Sequence, residues 1–306
     1  MRKGGAGKTH AERLASRDGY FAPESVIRRV ANSLLIPLLG GGPAVLLQVA
    51  HPLVAAGVAA HSDYERDLWR RLVRTLEAFY FIVYGTREEA ERAGLRVQTA
   101  HAHVRGQTPE RHGPFPAGTR YSASDPELQL WVHATLVETA LAIQNRFGSR
   151  LERREEEAFY REMALVARLL GLPRAVIPAT LSDFRAYLDA MLASPVIVVT
   201  QPAREIAAVV LRAPLPAPLR VLRPAHRVAT AGLLPDRLRN EYGLAWSAAR
   251  AAALPLAARS LLATSNPLFV AARWVSPPAR GGRVSGSRSR LPRGPRRRDR
   301  ARARPS

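Results

Sequence analysis

Thirty consecutive residues, Ala31 to Ala60, contain no Asp, Glu, Lys or Arg, and a chain that carries such a run must bury it in protein or in lipid. The length suits a membrane span. Pro37, the Gly40–Gly41–Gly42–Pro43 turn and Pro52 nevertheless cut it into pieces too short to cross a bilayer. The expected outcome is two or three short helices buried in a protein core, with attachment to a membrane surface as the alternative. Inside the run His51 directly precedes a proline, and His61 stands at a helix end beside Asp63. On a continuous helix these two would point about 280° apart, so they are not a natural pair.

The next stretch, Trp69 to Arg105, reads as two helices joined near Gly85–Thr86. On the first, Arg71, Arg74 and Thr75 follow i, i+3, i+4 spacing and share one face. That face is read here as inward, the alternative being a solvated face together with Glu77. On the second, Val97, Ala100, His101 and Val104 mark one apolar side and turn His101 toward the core. His103, about 200° round the helix, falls among Arg96, Gln98 and Thr99 and faces water. A histidine on a buried face is either a hydrogen-bonded core residue or a ligand, and periodicity leaves both open.

The rest of the pattern is helical. A helix starts at Pro23–Glu24–Ser25, with Val26, Ile27 and Val30 on one side. After a Gly/Pro-rich link from Gly106 to Gly118, Asp125 and Pro126 begin a long helix reaching about Phe147. Its apolar residues cover most of its circumference, which predicts a central position. His133 lies among them, between Leu130 and Val137. Further helices are expected over Glu152–Leu170, Thr180–Leu192, Gln201–Leu211, Pro218–Leu234, Pro235–Tyr242 and Trp246–Ser265. Val196–Thr200 alternates like a strand but is too little for a sheet. The fold class is therefore all-α, with a flexible arm over 1–22, one multi-helix domain over 23–275 and a disordered Arg/Pro-rich tail over 276–306.

Charge and motifs exclude several functions. The formal charge is +21, but the tail's 11 Arg and one Asp supply +10 of it. Specific nucleic-acid binding is not expected, while peripheral contact with an anionic membrane stays open. The absence of cysteine removes thiolate zinc, iron–sulfur clusters, a cysteine nucleophile and covalent haem attachment. None of the eight histidines has Glu three residues before it, as a di-iron bundle requires. His-Glu-x-x-His, Gly-x-Ser-x-Gly and dinucleotide-binding glycine patterns are also missing. Lys3 to Thr9, KGGAGKT, resembles a phosphate loop, yet only two residues precede it and no βαβ pattern follows, so a flexible basic arm is expected. The first 20 residues have no apolar core of a secretory signal, so a cytoplasmic protein is expected. Buried histidines beside an arginine face suit non-covalent haem, whose iron takes a neutral imidazole and whose propionates attract arginine.

Four pieces of the run from about His51 to Thr180 are more specific: the Arg71-Leu-Val-Arg74-Thr75 face, VQTAHAHVR around His101, LWVHATLVET around His133, and EAFYREMALVARLLGLP…VIPAT from Glu157 to Thr180. In order and approximate spacing they resemble the haem-dependent oxygenase family that contains the bacterial rubber oxygenases and the mycophenolic-acid-pathway oxygenase B. The resemblance implies an all-α fold with a globin-like core, a b-type haem (iron), and a reaction of dioxygen with a small apolar substrate. It implies that His101 is the proximal iron ligand, that Arg71 lies near the haem, and that Thr75 belongs to the same motif. Arg74 stands where rubber oxygenases place a lysine able to cap the distal side. Arginine effectively never loses its proton, so the distal side is expected to be open or held by another group. Rubber oxygenases also carry a glutamate just after a proline that aligns with Pro52, where this chain has Leu53–Val54, so rubber cleavage is not expected. His133 is a distal group, a partner of the axial ligand or a hydrogen-bonded core histidine, and His51 is a reserve axial or distal candidate. A competing reading is a non-catalytic helical binding protein at an anionic membrane surface.

Overall fold

The computed structural model describes residues 19–33, 35–61, 64–212 and 217–275. The Lys3–Thr9 motif and the 276–306 tail lie outside the described residues. Two compact units divide the chain, Met1–Asn266 and Pro267–Ser306, and the second is described only where it continues the final helix.

The charge-free run forms three short helices: α2 (Leu35–Leu39), α3 (Gly41–Val49) and α4 (Pro52–His61), following α1 (Val26–Ala31). Pro52 opens α4 and cannot donate to the preceding turn, and α3 and α4 meet at a bend of 109°. Leu46, Leu47, Val49 and Ala50 are buried in the main core with Ala55 of α4, while Leu53 and Ala56 of α4 are buried in a smaller cluster with Tyr121 and Leu128. Among the described residues no single helix is long and apolar enough to cross a membrane.

A helical hairpin follows, α5 (Tyr64–Tyr84) and α6 (Arg87–Ala102), then a short antiparallel ribbon of β1 (Arg105–Gln107) and β2 (Arg120–Ser122). The ribbon replaces the expected irregular link. Its strands are three residues each, too short to show an alternating pattern. Next come α7 (Pro126–Phe147), α8 (Arg153–Leu169), a 3₁₀ turn (Arg174–Val176), α9 (Leu181–Ala193), α10 (Gln201–Arg212), a 3₁₀ turn (Ala217–Leu222), α11 (Arg223–Gly232), α12 (Asp236–Glu241) and α13 (Ala248–Val275). The all-α expectation holds.

Helix α7 is central, as its composition predicts. Asp125 caps it by accepting from the Glu127 N–H at 2.8 Å, with Pro126 in the first turn. Trp131, Ala134, Val137 and Ile143 are fully buried, and α2, α3 and α8 pack around them. Helix α8 ends where expected, at Gly171, whose φ of 97° favours glycine.

Val196–Thr200 forms no strand among the described residues, Val196 lying in a turn and Ile197 in a bend. Its polar backbone groups are taken elsewhere: the Val198 N–H donates to the Ala50 carbonyl at 2.8 Å, the Val199 N–H donates to Glu241 at 2.9 Å, and Arg237 donates to the Ile197 carbonyl at 2.8 Å. With those bonds made, Ile197 and Val199 can be buried without a sheet.

Candidate functional site

The α5–α6 hairpin is set by a capping box. The Thr86 side chain accepts from the Glu89 N–H at 3.2 Å, and Glu89 accepts from the Thr86 N–H at 2.9 Å. That fixes where α6 starts and which way it leaves the turn, and the two helices then pack on each other. At 1.5 Å per residue, Arg71 on α5 and His101 on α6 both stand roughly 20 Å from the turn. The hairpin thus brings to one level two residues thirty positions apart in sequence.

Helix α6 is seated on the end of α8. A β-carbon at Gly94 would overlap the Leu169 carbonyl, so only glycine lets the backbones meet. One turn on, the Gln98 amide donates to that same Leu169 carbonyl at 3.1 Å. The buried side of α6 is therefore Ala90, Ala93 and Gly94, continued by half-buried Val97, Gln98 and His101, while Ala100 is exposed. This corrects the expected face: Gln98 is inward and Ala100 outward, because an amide that serves a helix-end carbonyl outranks a methyl group there. His101 is half-buried in the last turn, and His103 is exposed as expected.

The inward arginine–threonine face is not seen. Arg74, Thr75 and Glu77 are all exposed, which is the solvated-face alternative, and the side chain of Arg71 lies outside the described residues. The structure therefore places His101 and α5 side by side, with Arg74 and Thr75 on the open surface of that helix.

His133 and His51 are each 5% exposed. Both ring nitrogens of His133 are buried and make no close hydrogen bond, with the Met163 backbone beside them, so the core-histidine and ligand readings both stay open. Burial lowers its pKa to about 4, opposed only partly by the Met163 backbone. His51 Nδ1 accepts from the Leu53 N–H at 3.2 Å, and its ring stacks on Phe115 at 5.6 Å. Burial lowers its pKa to about 4 as well, despite the nearby Asp125. His112, unflagged by the sequence, is also 5% exposed and pairs its backbone with Phe115. Its setting, a turn built around Gly113 and Pro114 that folds Phe115 onto His51, was a signal available in the Gly/Pro composition of the link.

Both depressed histidines act on stability in the same direction. Their folded-state pKa lies below the ordinary 6.5, so the unfolded chain takes up protons that the folded chain refuses. Stability is full above pH 6.5 and falls as the pH drops toward 4, by roughly 1.4 kcal/mol per pH unit for each histidine. Urea titrations of protein without added cofactor at pH 7, 6 and 5 are expected to show that slope. His133→Leu should remove one histidine's share of it, and an unchanged slope in that variant would contradict the assignment.

An all-helical domain with a capped helical hairpin, a histidine at its far end and a central helix carrying a second buried histidine defines the class. The chain belongs to the family described as the ER-bound oxygenase mpaB/B′/rubber oxygenase catalytic domain, whose profile matches residues 28–264. It is an oxygenase, which sets aside the non-catalytic binding protein. Among its relatives are the uncharacterized proteins Mb2261 of Mycobacterium bovis and Rv2237 of Mycobacterium tuberculosis. Each is 29% identical over 213 residues, covering 67% of this chain and 80% of the relative. In fold it is similar to latex clearing protein LCP in its closed state, with a TM-score of 0.55 and 20% identity over 87% of this chain and 72% of the other.

Proposed function

We propose that this oxygenase works with a non-covalent haem b held through His101, and that it acts with dioxygen on a small apolar substrate. The donor chemistry fits. One imidazole would be enough to hold a haem iron. The described residues offer histidines singly, with no cluster of three or more His, Asp or Glu. The reading is carried by the place of His101: half-buried, at the end of α6, level with Arg71 across the hairpin.

Bound haem would supply oxygen activation, a chemistry that belongs to the cofactor. The chain's own residues position and insulate it. His101 would hold the group from one side. Arg71, permanently cationic, would pair with a carboxylate at its edge, while Arg74 and Thr75, exposed on the surface of α5, take no part in holding it. Leu53 and Val54 put no carboxylate beside Pro52, where rubber oxygenases have their glutamate, which argues for a substrate other than rubber.

His133 supports a second assignment within the same function. A buried imidazole that is neutral at pH 7 could help to hold the iron or carry a proton at one nitrogen. Haemin titrated into the purified protein is expected to give a saturable Soret band that shifts on reduction. Absence of any haemin-dependent Soret change would overturn the haem reading.

A further inference from the structure

Three residues before His101 and three residues after it, the chain is held by a partner from another element. Before it, the Gln98 side-chain amide donates to the Leu169 carbonyl, the last of α8, at 3.1 Å. After it, the Val104 carbonyl accepts from the N–H of Ala123, just past β2, at 2.8 Å. The second hold is made between backbone groups, which almost any sequence would supply. The first exists only because residue 98 carries a donor of the right reach. Its surroundings are built for that donor. At the end of α8 the Ala167 and Arg168 carbonyls accept from the Leu172 and Gly171 N–H groups, each at 3.0 Å, and Gln98 takes the Leu169 carbonyl that follows them. A β-carbon at Gly171 would stand 2.9 Å from Gln98 Cδ, so the amide rests directly against a glycine.

We infer that Gln98 is a positioning residue for His101: by tying the last turn of α6 to the end of α8, it sets the direction in which the imidazole is presented. The inference rests on the haem reading above. Gln98 and His101 are at i and i+3, on one side of the helix and roughly 60° apart. The Gly94 contact sets how closely α6 and α8 approach, whereas the Gln98 hydrogen bond sets how the last turn is rotated about its own axis. A ring already held in one orientation binds a metal more tightly than one that must be ordered on binding.

Haemin binding and resonance Raman spectra of the full chain, Q98M and Q98R test this. Methionine keeps the unbranched shape and loses the donor. Arginine places an Nε–H at the same position along the side chain, and a cation suits the carbonyl end of a helix. Q98M is expected to bind haemin about 10-fold more weakly, with the iron–histidine stretching band of the reduced protein shifted or broadened and far-ultraviolet circular dichroism unchanged. Q98R is expected to return both affinity and band toward the parent values. If Q98M keeps both, or if Q98R loses them as Q98M does, the inference falls while the haem reading stands. A parent chain that takes up no haemin removes the haem reading and this inference with it.

Discussion

Replacing His101 with alanine is expected to abolish the Soret band of the haemin-loaded protein and to weaken haemin binding by at least ~100-fold, since even residues that only orient a metal ligand cost 10–100-fold when lost. The fold should survive. His101 sits in the last turn of α6, beyond the Gly94–Leu169 contact and the Gln98–Leu169 hydrogen bond that seat the helix, so circular dichroism and the urea midpoint should stay near the parent values. Added imidazole should restore part of the band by entering the space left by the side chain. His51→Ala should keep the band, because His51 Nδ1 is already engaged with the Leu53 N–H. A band that persists in His101→Ala and disappears in His133→Ala would move the ligand to α7 while leaving the haem reading intact.

Trp131→Ala is the second large effect, and it concerns stability rather than cofactor. The indole is fully buried on the central helix, and its Nε1–H donates to the Gln48 carbonyl of α3 at 3.2 Å. Truncation removes apolar contacts, leaves a cavity between α7 and α3 and takes one hydrogen bond from that carbonyl, which keeps the His51 N–H at 3.2 Å, for an expected loss of about 3–5 kcal/mol. Urea unfolding should show a lower midpoint at unchanged slope. Trp131→Phe keeps most of the apolar volume and loses the hydrogen bond, so it should cost about 1–2 kcal/mol. A loss under 1 kcal/mol for the alanine variant would mean that α7 is not the pillar of the core.

Local chemistry accounts for what the sequence made legible. Asp125–Pro126 and Gly171 begin and end helices with residues that act within a turn of themselves, and each works as its type predicts; the junction read near Gly85–Thr86 is closed by the Thr86/Glu89 box. Proline and glycine likewise divided the charge-free run into the short helices observed. The start of α1 shows where such reasoning stops. Ser25 precedes it as a cap residue should, yet its hydroxyl is unpartnered, and Glu162 of α8 accepts from the Ile27 N–H instead at 2.6 Å. A partner 135 residues away leaves no local signature.

The chain alone therefore determined the all-α class, the central place of α7 and the family, because helix periods, caps and motif spacing are properties of neighbouring residues. It misplaced two later helices, since the expected Pro218–Leu234 divides into a 3₁₀ turn and α11 and the expected Trp246–Ser265 runs as Ala248–Val275. Tertiary structure decided which sides face inward. It turned Gln98 in to serve the Leu169 carbonyl and Arg74 and Thr75 out to solvent. It folded Phe115 over His51, and it buried both ring nitrogens of His133 beside the Met163 backbone. The physical reason is common to all four: a polar side chain takes the position that satisfies distant backbone groups or that packing allows. Such partners are fixed only when helices far apart in sequence come together.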